Sequence, residues 1–216
     1  LHDHPASARR HHHLAVDAAP TAGCRCLVIG PGFGSGWAQQ QVVSTCVSKD
    51  DRPIILDADG LNALSQLSSG QLDLKAPTLL TPHLGEFKRL ATAMDIDVDT
   101  LNEVESAEAL AQAYGCIVVL KSSRTIISDG VRTIEDSAGS VVLATGGTGD
   151  VLTGIIAGIL VQYGIDCISY LFDAAVLGVH IHAMAGESFV EQHGNTGMLA
   201  TDLLERIPKA IDTLRT

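Results

Sequence analysis

Aromatic side chains are scarce in this chain of 216 residues: they make up 4%, against a hydrophobic share of 46%. Any core it builds must be aliphatic. Basic residues are also in deficit, 14 Lys and Arg against 25 Asp and Glu, for a formal charge of −11. That balance argues against nucleic acid or an anionic membrane as partner, because both are held by basic surface. The five cysteines (Cys24, Cys26, Cys46, Cys116 and Cys167) are odd in number and contain no C-x-x-C pair. They read as reduced, mostly buried thiols of a cytoplasmic protein. "LHDHPASARRHHHLAVD" has no apolar run of the kind a secretory signal needs. The apolar stretch 141–160 is interrupted by five glycines and Asp150, which is unlike a membrane span. Two nucleotide-binding signatures are missing as well. No Gly-Lys-Ser/Thr occurs, which excludes a P-loop, and "GPGFGSG" at 30–36 places Ser35 or Trp37 where a dinucleotide fingerprint needs its third glycine.

What is there is regular from Cys26 onward. "CLVIG", "PIILDADG", "PTLLTPH" and "CIVVLK" read as continuous apolar strands, alternating with helices at "GSGWAQQQVVSTCVSKD", "LNALSQL", "LGEFKRLATAM" and "TLNEVESAEALAQAYG". In the last of these Thr100 is the expected N-cap and Gly115 the stop. "RTIISDGVRTIE" reads as a hairpin with Asp129-Gly130 as a type I′ turn, and "GSVVLATGG" as a further short strand and loop. Helices over 150–163, roughly 168–192 and 199–214 close the chain. The pattern predicts an α/β fold, a mostly parallel central sheet with helices on both faces and a late antiparallel hairpin. With no repeat and no linker, residues 21–216 form one domain, preceded by a His-rich lead-in over 1–20. The long apolar C-terminal helices leave room for subunit contacts, so a homo-oligomer is expected.

In such sheets ligands gather at the carboxyl ends of the strands, and five motif-like loops fall there. "GPGFG" is either a turn needing positive φ or a floor on which a ligand lies close to backbone. "DADGLN" supplies Asp57, Asp59 and Asn62, oxygen ligands suited to Mg2+ through water. "TPHLGE" presents His83 at a strand end and Glu86 at a helix start. "LKSSRT" offers Lys121 and Arg124 around hydroxyls, read as a solvated turn or as a nucleotide phosphate site. In "ATGGTGD", Gly146, Gly147, Thr148 and Gly149 let successive backbone N–H groups face an anion at a helix N-terminus. Asp150 follows at once. It is either a carboxylate favoured by the helix dipole or a base that takes the proton from a hydroxyl attacking a phosphoryl group. His180 and His182, two apart on a helix, face different directions and read as core or interface residues.

Taken in order, "VIGPGFG", "ILDADGLNAL", "TPHLGE", "LKSSRT" and "ATGGTGDVLTGIIAGIL" resemble the ADP/ATP-dependent NAD(P)H-hydrate dehydratases of the ribokinase-like superfamily, over residues 26–208. The resemblance implies dehydration of hydrated NADH or NADPH by phosphorylation of the ring hydroxyl and loss of phosphate, with ADP or ATP as co-substrate and Mg2+ as cofactor. It implies Asp150 as the base and as a substrate contact, with Gly32, Gly34 and His83 also touching the hydrated dinucleotide. Lys121, Ser122, Ser123, Arg124, Thr125 and Gly149 would line the adenine nucleotide. Residues 146–149 would form the anion hole, and Asp59 and Glu86 would reach the metal through water. Two departures stand out: Ser122 replaces the family's glycine after the lysine, and the family's opening strand and helix have no counterpart before Cys26. Two other readings remain, a kinase of a vitamin-precursor alcohol such as a hydroxymethylpyrimidine or hydroxyethylthiazole, and a non-catalytic nucleotide-binding module.

Overall fold

The computed structural model describes residues 24–67, 72–98, 101–163 and 168–215. The His-rich lead-in, Thr100 and Cys167 lie outside them. Six strands form one sheet in the order β1-β2-β3-β4-β5-β6. They are β1 (Leu27–Ile29), β2 (Ile54–Leu56), β3 (Thr78–Leu80), β4 (Ile117–Leu120), β5 (Thr125–Ser128) and β6 (Thr133–Asp136). The first four run parallel; β4–β5 and β5–β6 are antiparallel.

This order decides where the helices go. Right-handed crossovers between consecutive, adjacent parallel strands put every connecting helix on the same face. The connectors α1 (Trp37–Lys49), α2 (Ala58–Leu64), α3 (Leu84–Ala93) and α4 (Glu103–Tyr114) accordingly share one apolar core with Ile54, Leu56, Leu80, Val118, Leu120 and Ile126. The opposite face would be bare without the C-terminal helices. There α5 (Thr148–Tyr163), α6 (Ile168–His193) and α7 (Ile207–Thr213) pack on Ile55, Leu79, Ile117, Val119 and Ile127. Alternation along an all-apolar strand sends successive side chains into opposite cores, so the expected double covering is observed.

Helix ends are set by local chemistry. On α4, Asn102 accepts from the Glu105 N–H at 2.9 Å while the Glu105 carboxylate accepts from the Asn102 N–H at 3.0 Å. This is a reciprocal capping box. The cap is therefore Asn102 instead of Thr100, and Gly115 ends the helix in the left-handed region as expected.

Three expectations need correction. Residues 141–144 form a 3-10 turn, not a strand. Val142 is drawn into a small cluster with Ala185, Phe189, Met198 and Leu203, away from the sheet. The expected helix over 199–214 is a 3-10 turn (Ala200–Leu203) followed by α7. Pro208 has no N–H to give to a helix interior and sits instead in the first turn of α7. The hairpin turn is one residue later than expected. Ser128 pairs with Thr133 and the Asp129 N–H donates to the Arg132 carbonyl, so Gly130 and Val131 are central. Only Gly130 has positive φ, at 84°, the type II′ pattern. Asp129 serves the turn through its side chain, accepting from the N–H groups of Val131 and Arg132 at 3.0 and 2.7 Å.

Candidate active site

Because β1 to β4 are parallel, their carboxyl ends share one rim, and the loops there are laced together. The Asp57 N–H donates to the Ile29 carbonyl at 3.1 Å, tying the end of β2 to the end of β1. The two backbones are pressed so closely that a Cβ on Gly30 would stand 1.7 Å from the Asp57 carbonyl oxygen. Glycine at 30 is a steric requirement. Asp59 accepts from the Gly34 N–H at 2.8 Å and so holds the glycine loop onto the β2 loop. Gly32 has φ 65° and nothing within 4 Å of where its Cβ would be. Its backbone is open for a ligand to lie against.

At the end of β3, His83 caps α3. Its Nδ1 accepts from the Gly85 and Glu86 N–H groups at 2.9 and 3.3 Å, which leaves the ring proton on Nε2. Glu86 closes the box by accepting from the His83 N–H at 2.9 Å, and its other oxygen lies 3.5 Å from His83 Nε2. Glu86 is 6% exposed. One of its oxygens is hydrogen-bonded in the cap and the other faces the His83 ring, so a contact with hydrated metal would compete with the cap. The Lys121 N–H donates to the Pro82 carbonyl at 2.8 Å, placing the end of β4 next to His83.

The loop after β4 is divided. Lys121 turns inward, its Nζ 2.8 Å from the buried Asp57 carboxylate. Arg124 turns outward to Glu135 of the hairpin at 3.1 Å. The Ser122 hydroxyl donates, its acceptors being the Glu103 carboxylate on α4 at 2.9 Å and the Arg124 carbonyl at 2.6 Å. Lys121 is thus brought to the rim centre and Arg124 is not. Ser123 is exposed, and Thr125 already belongs to β5.

Gly146 and Gly147 lead into α5. The Thr148 hydroxyl folds back onto the carbonyls of Leu143 and Thr145 at 2.6 and 2.8 Å, and its N–H donates to the Thr145 carbonyl at 3.3 Å. Thr148 therefore shapes the turn and offers no donor to an anion, contrary to expectation. The N–H groups of Gly146, Gly147, Gly149 and Asp150 have no hydrogen-bond partner among the described residues. Asp150 is exposed and without a hydrogen-bond or ion-pair partner among them. It stands at the end of a cavity of about 530 Å3 running between α5 and α7, lined by Val151, Gly154, Ile155, Gly158 and Ile207.

Two contributions escaped the sequence reading. Asp57 was placed among outer metal ligands; in the fold it is 2% exposed and paired with Lys121 and Thr153. A carboxylate ending a fully buried strand needs a cation, and that signal was available. His182 of α6 is buried, and burial pushes its imidazole down to about 4, against an opposing backbone contact with Thr148 and with the Lys121 charge adding to the depression. It is a neutral core histidine packed under the start of α5, with no partner for Nε2 among the described residues. His180, two residues away, instead faces Asp136 at 3.1 Å.

Comparison with known proteins gives the family. The model of the NAD(P)H-hydrate dehydratase family matches residues 7–209. The bifunctional NAD(P)H-hydrate repair enzyme of Salinibacter ruber is 36% identical over 196 residues, covering 90% of this chain and 34% of the relative. That of Thermofilum pendens is 35% identical over 192 residues, covering 88% and 35%. Among solved structures, the ADP/ATP-dependent NAD(P)H-hydrate dehydratase of Bacillus subtilis co-crystallised with ATP and Mg2+ superposes with a TM-score of 0.73 at 31% identity, covering 88% of this chain and 64% of that one. The chain spans about a third of the length of these curated relatives. With the glycine-rich helix tip, the interlocked strand-end loops and a family match running almost the length of the chain, this protein belongs to the NAD(P)H-hydrate dehydratase family.

Proposed function

We propose that the chain carries out an ADP- or ATP-dependent dehydration of hydrated NADH or NADPH. The carrying observation is the tip of α5, where the amides of Gly149 and Asp150, without partners among the described residues, adjoin an exposed carboxylate that has none among them either. Amides at a helix N-terminus stabilise the negative charge that spreads over a transferring phosphoryl group. A carboxylate beside them is repelled by phosphate unless it does something there, and accepting the proton of the attacking ring hydroxyl is that role. The ring oxygen then bonds to phosphorus and the nucleotide leaves one phosphate shorter; phosphate departs with the electron pair of the ring C–O bond while the neighbouring ring carbon gives up a proton, and the dihydronicotinamide double bond is restored. In this reading Gly32, Gly34 and His83 would contact the hydrated dinucleotide and the loop 121–125, led by Lys121, would face the adenine nucleotide, with Arg124 leaving Glu135 to join it.

Magnesium fits this site in a limited way. Among the described residues no group of three or more His, Cys, Asp or Glu is arranged to hold a metal, and Asp57 is closed off by Lys121. Mg2+ commonly binds through nucleotide phosphates, water and one or two carboxylates, without a protein cage. Asp59 is the residue that could reach its water shell, and the ion would offset phosphate charge when bound. A homo-oligomer is proposed on the apolar C-terminal helices alone.

The test mixes the protein with chemically prepared NADH hydrate, Mg2+ and either ADP or ATP, and follows dihydronicotinamide absorbance together with phosphate release. Recovery of both is expected. Asp150→Asn should bind nucleotide as before and lose about 10²–10⁴-fold in turnover. A near-normal rate in that variant removes Asp150 from the chemistry. No recovery with either nucleotide overturns the dehydratase reading.

A further inference from the structure

Asp57 sits where three segments meet: the end of β2, the end of β4 and the first turn of α5. One of its oxygens lies 2.8 Å from Lys121 Nζ. The other accepts from the Thr153 hydroxyl at 3.1 Å, a hydroxyl that also lies 3.0 Å from the Gly149 carbonyl. A Cβ placed on Gly149 would stand 3.1 Å from Lys121 Nζ and 3.8 Å from Asp57 Oδ2. The ammonium is therefore lodged directly beneath the residue whose N–H faces the proposed phosphoryl group. Lys121 is 23% exposed at its side chain while Asp57 is 2% exposed, so the pair has a sealed end and an open end. The open end belongs to the cation.

The backbone of Asp57 cannot give. Its N–H is bonded to Ile29, its carbonyl accepts from Gly60 at 2.9 Å, and Gly30 presses on the carbonyl oxygen. Lys121, by contrast, has four rotatable methylenes and a compact ammonium with three donors. A buried ion pair is a poor source of stability, since desolvation offsets much of the attraction. Its value here is positional.

The geometry points to Asp57 as a positioning residue: it anchors Lys121 under Gly149 so that the ammonium, one donor directed to Asp57, turns the others toward the phosphate of a bound adenine nucleotide. This rests on the phosphoryl-transfer reading given above. Asp57 itself touches no substrate; it acts through Lys121, with Thr153 fixing the carboxylate from the other side.

The test is a double-mutant cycle of Asp57→Asn and Lys121→Ala, with calorimetric binding of Mg2+-ATP and of Mg2+-ADP, turnover with NADH hydrate, and a thermal melt of each variant. Either single substitution should weaken nucleotide binding and raise its KM by about tenfold, as loss of a charged hydrogen bond does, with a smaller change in kcat. Asp57→Asn added to Lys121→Ala should weaken binding no further, because Asp57 has nothing left to position. Effects that multiply in the double variant, or wild-type affinity in Asp57→Asn, overturn the proposal whatever happens to the melting temperature. Should Asp57→Asn fail to fold, Thr153→Val provides the second route: weaker binding in the wild-type background and no effect with Lys121→Ala supports the proposal, and unchanged binding in both backgrounds refutes it. Turnover separates the two claims. Coupled binding without turnover leaves the positioning role standing and fells the dehydratase reading; turnover without coupling does the reverse.

Discussion

His182 makes the acid stability of this fold a quantitative matter. Its ring is buried under the start of α5, and burial pushes it from an ordinary 6.5 down to about 4, with the nearby Lys121 charge acting in the same direction and the Thr148 backbone against it. Above pH 6.5 the imidazole is neutral in the folded and unfolded chains, and it contributes no slope. Between pH 6.5 and about 4 the unfolded chain binds a proton that the folded chain refuses, so stability falls as pH falls; below about 4 both are protonated and the loss levels off. At about 1.36 kcal/mol per pH unit of displacement, the full loss is roughly 3 kcal/mol. For a chain of this size that corresponds to about 6–12 °C in Tm. The assay is thermal or urea unfolding from pH 8 to pH 4 for the wild-type protein and for His182→Gln. Carboxylates titrate in both proteins and cancel in the difference. The wild type should lose roughly 3 kcal/mol more than the variant over that range. Parallel profiles would refute the reasoning and place the imidazole in contact with water or with a hydrogen-bond acceptor.

Two further outcomes follow from the backbone. Gly30→Ala would drive a Cβ to within 1.7 Å of the Asp57 carbonyl at φ 142°, where no flexible side chain can yield. Strain and overpacking together should cost about 2–6 kcal/mol, read as a lowered Tm or loss of folded protein, and an unchanged Tm would disprove the close approach of β1 and β2. Asn102→Ala removes the acceptor of the α4 capping box and should lower stability by about 1 kcal/mol, measured by urea unfolding; no change would mean that Asn102 does not cap the helix.

The strand-rich first half was legible because fully buried parallel strands carry aliphatic runs between polar loops, and Ile54–Leu56, Leu79–Leu80 and Ile117–Leu120 are such runs. The misreadings cluster where periodicity is absent. "GSVVLATGG" has the composition of a strand, but Val142 finds its apolar partners in α6 and the 3-10 turn at Ala200–Leu203, contacts that no local pattern encodes. The hairpin was expected and its turn was shifted by one residue, since Gly130 supplies positive φ at the first central position while Asp129 works through its carboxylate. At the rim, His83 and Glu86 were rightly placed at a strand end and a helix start. That they cap each other was written in the S/T/D/N-x-x-E spacing only with an imidazole in the capping role, which the usual pattern does not include.

Sequence alone determined the six strands of the sheet and most of the helices, that the core is aliphatic, and that glycines crowd the start of α5, because these follow from composition and from spacing over a few residues. Only the tertiary structure decided that Asp57 and Lys121, 64 positions apart, form an ion pair beneath Gly149, that Arg124 turns away to Glu135, and that His182 is buried. Those outcomes depend on which strand ends the sheet order brings together and on how much solvent the packed helices exclude. Neither quantity exists until the chain has closed on itself.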